Sequence, residues 1–175
     1  IFTSNDAWGS EIDYSQVYLS SRWNFLVGSQ WKFLLRAEAA YSDAITSKVL
    51  IPTNEGELEI EATELPKLYR FKAGGSRSVR GYAFESLDTN GLGSNHVFTA
   101  SAEVEYHFHE SWSVAAFVDT GNAFNDWSKP ELKLGTGVGV RWYSVIGAVR
   151  LDFAQGWALE GDPWRFHLTI GTPLL

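Results

Sequence analysis

Few residue strings in this chain have the makings of chemistry. Asp119-Thr120-Gly121 follows Phe117-Val118, and Val145-Ile146-Gly147 lies downstream. An aspartate in that setting can share a proton with a second carboxylate, but it would need two copies of the chain meeting at a soluble interface. His107-x-His109 offers two imidazoles; His109 falls in a turn and no third metal ligand is evident, so no metal site is expected. Gly135-x-Gly137-x-Gly139 is followed by no helix and closed by no Lys-Ser/Thr pair, which excludes a phosphate loop. The absence of Cys from all 175 residues removes disulfides, thiol nucleophiles and Cys-ligated metals. Neither a catalytic set nor a cofactor site is expected. What remains is a specific, glycine-containing string from Leu68 to Tyr82, with Gly74-Gly75 and Gly81 at its bends.

The elements that must position this string are strands. Fourteen Lys and Arg against 21 Asp and Glu leave a formal net charge of −7, part of it in the run Glu55, Glu57, Glu59, Glu61 and Glu64, which reads as a solvated loop ribbon. An acidic chain without a basic patch is a poor nucleic-acid partner. The longest unbroken apolar run, Val114 to Val118, is five residues, far below the roughly 18 that a spanning helix needs. Period-two alternation, in contrast, recurs along most of the chain and predicts seven strands at about 14–25, 31–42, 98–108, 112–121, 132–143, 148–154 and 165–174. Trp31, Phe33, Leu35, Ala37, Ala39 and Tyr41 fall on one face of the second, and Lys32, Arg36, Glu38 and Ser42 on the other. Ala100, Ala102, Val104, Tyr106 and Phe108 oppose Ser101, Glu103, Glu105 and His107 in the third. In this register every charge in the seven strands lies on the polar face.

A soluble β-sandwich would alternate too, and three features decide for lipid. A strand of ~12 residues at ~3.3 Å each, tilted by ~40°, rises about 30 Å, the thickness of a hydrocarbon core. Trp23, Phe25, Trp31, Trp112 and Trp142 gather by the short turns, while Tyr41, Trp127, Trp157, Trp164 and Phe166 gather by the long loops, giving two aromatic belts. Connections alternate as well: Val27 to Gln30, His109 to Ser111 and Ser144 to Gly147 are short, whereas 43–97, 122–131 and 155–164 are long. The expected fold is therefore all-β, an antiparallel transmembrane barrel in outer-membrane lipid with its short turns in the periplasm. Seven strands cannot close a bacterial barrel, which takes an even number and at least eight. Residues 1–175 read as one portion of a single barrel domain, with residues 1–13 as the remainder of an upstream external loop. The chain starts at Ile1, contains no Met and shows no targeting segment, as a processed product, an engineered chain or a piece of a longer polypeptide would.

The 43–97 connection is too long to be passive. Its string Arg70-Phe71-x-Ala73-Gly74-Gly75-x-Arg77-Ser78-Val79-Arg80-Gly81-Tyr82 resembles the outer-membrane assembly and translocation superfamily that includes BamA, TamA and the two-partner-secretion transporters. Phe117-Val118-Asp119-x-Gly121, Gly135 to Trp142, and Arg150-Leu151-Asp152-Phe153 follow in the matching order, and together they look most like the TamA branch. The resemblance implies a sixteen-stranded barrel, of which this would be the last seven strands, with a sixth loop folded into the lumen and tipped by Val79, Arg80, Gly81 and Tyr82. It implies that Arg80 meets Glu103 and Asp119 on the inner wall, where the register already places both. Gly135, Gly137 and Gly139 would leave clearance there, most simply for the loop tip. Gly171 and Pro173 would weaken pairing in the last strand at a lateral seam; packing clearance is the alternative for Gly171. The function implied is insertion or translocation of β-rich clients such as autotransporters, in a Gram-negative outer membrane. A TamB-like inner-membrane partner and upstream POTRA domains are implied with it. A pore dedicated to one exported substrate, or a passive anchor for a soluble domain, are the alternatives.

Overall fold

The structure, a computed structural model, describes residues 2–4, 14–53, 56–145, 147–158 and 164–171. Ten strands occur among them: β1 (Phe2–Ser4), β2 (Tyr14–Val27), β3 (Trp31–Asp43), β4 (Thr46–Thr53), β5 (Gly56–Thr63), β6 (His96–His109), β7 (Trp112–Phe124), β8 (Lys133–Ser144), β9 (Gly147–Gly156) and β10 (Trp164–Gly171). Eight of them form one antiparallel sheet in the order β1-β2-β3-β6-β7-β8-β9-β10, and β4 pairs with β5 alone. No helix of the described residues is long and apolar enough to cross a membrane; the strands are what could span one.

All seven expected strands are present, and several run a few residues further than alternation alone suggested. Two differences concern segments read as loop. Phe2–Ser4 pairs with β2 through Phe2↔Gln16, Thr3↔Ser15 and Ser4↔Tyr14, so part of the 1–13 segment is sheet. Glu57, Glu59 and Glu61 of the acidic run lie in β5, which pairs with β4 in register from Thr46↔Thr63 to Thr53↔Gly56; Glu55 lies outside the described residues. The interleaving of Glu57, Glu59 and Glu61 with Leu58 and Ile60 is itself a period-two strand signal, which the high charge of the run disguised as a solvated ribbon. Residues 172–175, including Pro173, lie outside the described residues, as do 5–13.

Strand-by-strand burial follows the alternation. Along β7, Ser113, Ala115, Phe117 and Asp119 are buried while Trp112, Val114, Ala116 and Val118 are exposed. The inversion is general, since Trp31, Phe33, Leu35, Val138, Val140, Leu151, Phe166, Leu168 and Ile170 all face outward. Such a surface would be an aggregation hazard in water and is the expected one in lipid. Outward aromatics meet across strands, as in Trp112 with Trp142, whose centroids lie 6.2 Å apart, and Phe153 with Trp164 at 4.4 Å. The buried apolar cluster is on the concave side: Ala40, Val97 and Ala123 of the wall pack with Ala73, Val79, Tyr82 and Leu87 of the long connection. The core of this chain is thus the joint between loop and wall.

Candidate functional site: an arginine clasp inside the barrel wall

The connection between β3 and β6 folds back onto the concave face and is rigid by construction. Backbone bridges pair Phe71 with Ser94 and Ala73 with Leu87. The Ser78 amide donates to the Gly75 carbonyl at 3.1 Å, and the Gly75 amide to the Val79 carbonyl at 3.1 Å, making a tight turn. Gly74 and Gly75 take φ of +102° and +96° at this bend, a region that costs a side chain dearly. The turn aims Val79-Arg80-Gly81-Tyr82 at the wall. From β3, Arg36 donates through Nη2 to the Ser78 carbonyl at 2.8 Å.

Arg80 enters a nest of carboxylates. Its Nε and Nη2 donate to the two oxygens of Asp119 at 2.7 and 3.0 Å, and its own backbone amide adds a third bond to Asp119 at 3.0 Å. Nη1 donates to Glu103 at 2.6 Å and to Asp152 at 3.3 Å. The guanidinium carbon stands 3.4 Å from the centroid of the Phe117 ring, a cation–π placement. A second cation, Arg141, closes the cluster from β8, reaching Glu103 at 3.0 Å and Asp152 at 2.6 Å. All five ionic side chains are nearly or fully buried, with Arg80 at 4 % and Arg141 and Asp119 at 0 % exposure.

Burial on that scale opposes charge, and the pairing has to outweigh it. For Arg80, burial alone would lower the pKa. The hydrogen bonds and charge of Asp119, then the charges of Glu103 and Asp152, more than offset this and hold the guanidinium above its ordinary value. The planar fork grips Asp119 with two donors and still has Nη1 left for a second strand, which a lysine could not do.

The glycines fall into different roles. A Cβ on Gly81, where φ is +94°, would stand 2.6 Å from the Gln155 carbonyl carbon and the Gly156 amide of β9, so the loop tip lies against that strand's backbone. On Gly135 a Cβ would land on the Arg80 carbonyl oxygen; on Gly137 it would meet the Phe153 carbonyl and the Phe117 ring; on Gly139 it would meet Asp152 and Arg141. Gly135 therefore faces the loop tip, whereas the other two leave room for the wall's own side chains. Around Gly171 nothing among the described residues comes within 4 Å of such an atom. Tyr82 donates its hydroxyl to the Leu134 carbonyl at 3.0 Å and accepts from the Ala158 amide at 3.1 Å.

Of the residues singled out from sequence, Val79, Arg80, Gly81, Tyr82, Glu103, Asp119 and Gly135 come together here. Phe117, Arg141 and Asp152, quoted above only as parts of the family's motifs, and Arg36 belong to the same constellation, and none of them was expected as a partner of Arg80. Asp152 and Arg141 carried a readable signal: each is a charge on the inward face of a strand rich in small residues. A second polar node sits nearer the short turns, where fully buried Glu105 accepts from the hydroxyls of Ser113 and Tyr143.

An inverted sheet, oily outside and ionic within, with a loop returned to its concave side, defines a segment of a transmembrane β-barrel wall. Comparison with known proteins gives the particular family. The chain belongs to the Omp85 superfamily, whose domain matches residues 2–173, and it is part of an outer-membrane barrel of the Gram-negative type. Among solved structures it resembles BamA from Haemophilus ducreyi lacking POTRA domains 1–3, at 20 % sequence identity and a TM-score of 0.66. That match covers 91 % of this chain and 35 % of the other, so the chain spans about a third of its structural neighbour.

Proposed function

We propose that this chain is the seam-bearing portion of a larger outer-membrane barrel that inserts or translocates β-rich clients such as autotransporters, along the lines of the TamA branch. In that setting it works with upstream POTRA domains and a TamB-like inner-membrane partner. The observation that carries the reading is the Arg80 clasp, because it ties one loop to carboxylates from β6, β7 and β9 at once and so gives this side of the wall a fixed frame. Next to that frame stands β10, the edge of the described sheet. An unpaired edge offers backbone donors and acceptors to any incoming strand regardless of its side chains, which suits a factor with many clients. In the whole barrel that edge would pair weakly with the first strand and release it when a client arrives. The membership in the Omp85 superfamily and the inward ionic face support the reading.

A cysteine pair joining β10 to the first strand of the full-length barrel tests it. With the disulfide formed, client insertion into outer-membrane vesicles should stop, and reductant should restore it. Undiminished insertion by the oxidised protein would exclude the seam.

A further inference from the structure

His167 lies on the inward face of β10, between outward-facing Phe166 and Leu168. Its Nε2 accepts a hydrogen bond from the backbone amide of Gly81, at 3.0 Å, across 86 residues of sequence. Gly81 is the residue after the clasp arginine, so the same tip that Arg80 fastens to β6, β7 and β9 is also tied to β10 through this side chain. We propose that His167 is a latch that couples the loop tip to the seam strand. The proposal rests on the seam reading for its purpose, though not for its geometry.

The chemistry specifies the imidazole's state. A nitrogen that accepts from an amide must carry a lone pair, so the ring is neutral with its proton on Nδ1. The surroundings agree with a neutral ring. Directly across the strand pair His167 faces Asp152, whose two oxygens are already occupied by Arg80 and Arg141. Arg165 lies two residues away on the same face of β10, and Asp119 of β7 is committed to Arg80. Both nearby carboxylates are held by guanidinium groups, and Arg80 and Arg165 would repel an imidazolium. The latch is consequently a single neutral hydrogen bond beside a strongly ionic clasp. That makes it the weaker of the two fastenings and the one that can release without dismantling the other.

Amide hydrogen exchange on the full-length protein in lipid nanodiscs is the test. His167→Leu keeps the bulk and removes the acceptor; the Gly81 amide and the β10 amides, 164–171, should then exchange about three- to ten-fold faster, the range that one net hydrogen bond commands. Exchange in β6 to β8 should stay as in the wild type. His167→Gln, whose side-chain oxygen can reach a similar position, should restore most of the protection. Unaltered β10 exchange in His167→Leu, or a glutamine variant as fast as the leucine one, would overturn the latch. Should His167→Leu fail to fold, nitrogen NMR of the wild-type imidazole decides: a proton on Nδ1 alone supports the latch, and one on Nε2 overturns it. The readout involves no client, so a failed latch leaves the cross-linking result standing, and the converse holds.

Discussion

Strands β8–β9 and strand β10 share one grammar of alternating outward apolar and inward polar residues, yet they are fastened to the loop in different ways. Arg141 of β8 and Asp152 of β9 sit inside an ionic lattice with Arg80, at separations of 2.6–3.3 Å. Strand β10 meets the loop through the hydrogen bond that the Gly81 amide donates to His167. Buried charges that are paired cost several kcal/mol to break, because separating them strands an uncompensated ion, whereas a neutral hydrogen bond is worth about 1 kcal/mol net. A barrel that needs one fixed wall and one yielding edge can obtain both from a single loop, by ending its strong contacts one strand early.

The largest expected effect comes from breaking the strong side. Arg80→Ala leaves Glu103, Asp119 and Asp152 facing each other with Arg141 alone, and should cost about 3–5 kcal/mol if the site stays dry. Protease cleavage within 70–82 should become fast in the full-length folded barrel, while heat-modifiable migration on gels shows that the barrel itself forms. A protected loop in that variant would mean that the ionic lattice does not hold it. Gly135→Ala tests the same fastening from the wall: its methyl would land on the Arg80 carbonyl, and overpacking of this kind costs about 1–3 kcal/mol. Urea unfolding of the barrel in detergent should show an earlier transition, accompanied by partial loop exposure. Smallest is Tyr143→Phe, which takes one hydroxyl donor from Glu105, two residues along β6 from the clasp's Glu103. About 1 kcal/mol should be lost with loop protection unchanged, and a loop that became labile would show that the two polar nodes are coupled.

Much of this was legible without coordinates. Seven strands, their inward and outward faces, and the two tiers of aromatics follow from period-two patterning, which a strand cannot disobey without turning its apolar side to the wrong medium. The hairpin β4–β5 was not legible, because the charge of its glutamates masks the alternation that Leu58 and Ile60 keep. The clasp was partly legible: the Val79-Arg80-Gly81-Tyr82 tip stands out by composition and by its family resemblance. Asp152 and Arg141 lie in motifs that carry the resemblance and on inward strand faces, yet nothing along the chain pairs them with Arg80, and Arg36 looks like any other lumen charge until the loop is laid on the wall.

Alternation along the chain, then, decided by itself what faces lipid and what faces water, because side-chain direction in a strand is a local property with a fixed period of two. Which inward charges meet was left to tertiary structure. Arg80 reaches Asp152 across 72 residues and Gly81 reaches His167 across 86, distances over which no local rule operates. Only strand register and the return path of the loop bring those atoms within hydrogen-bonding distance.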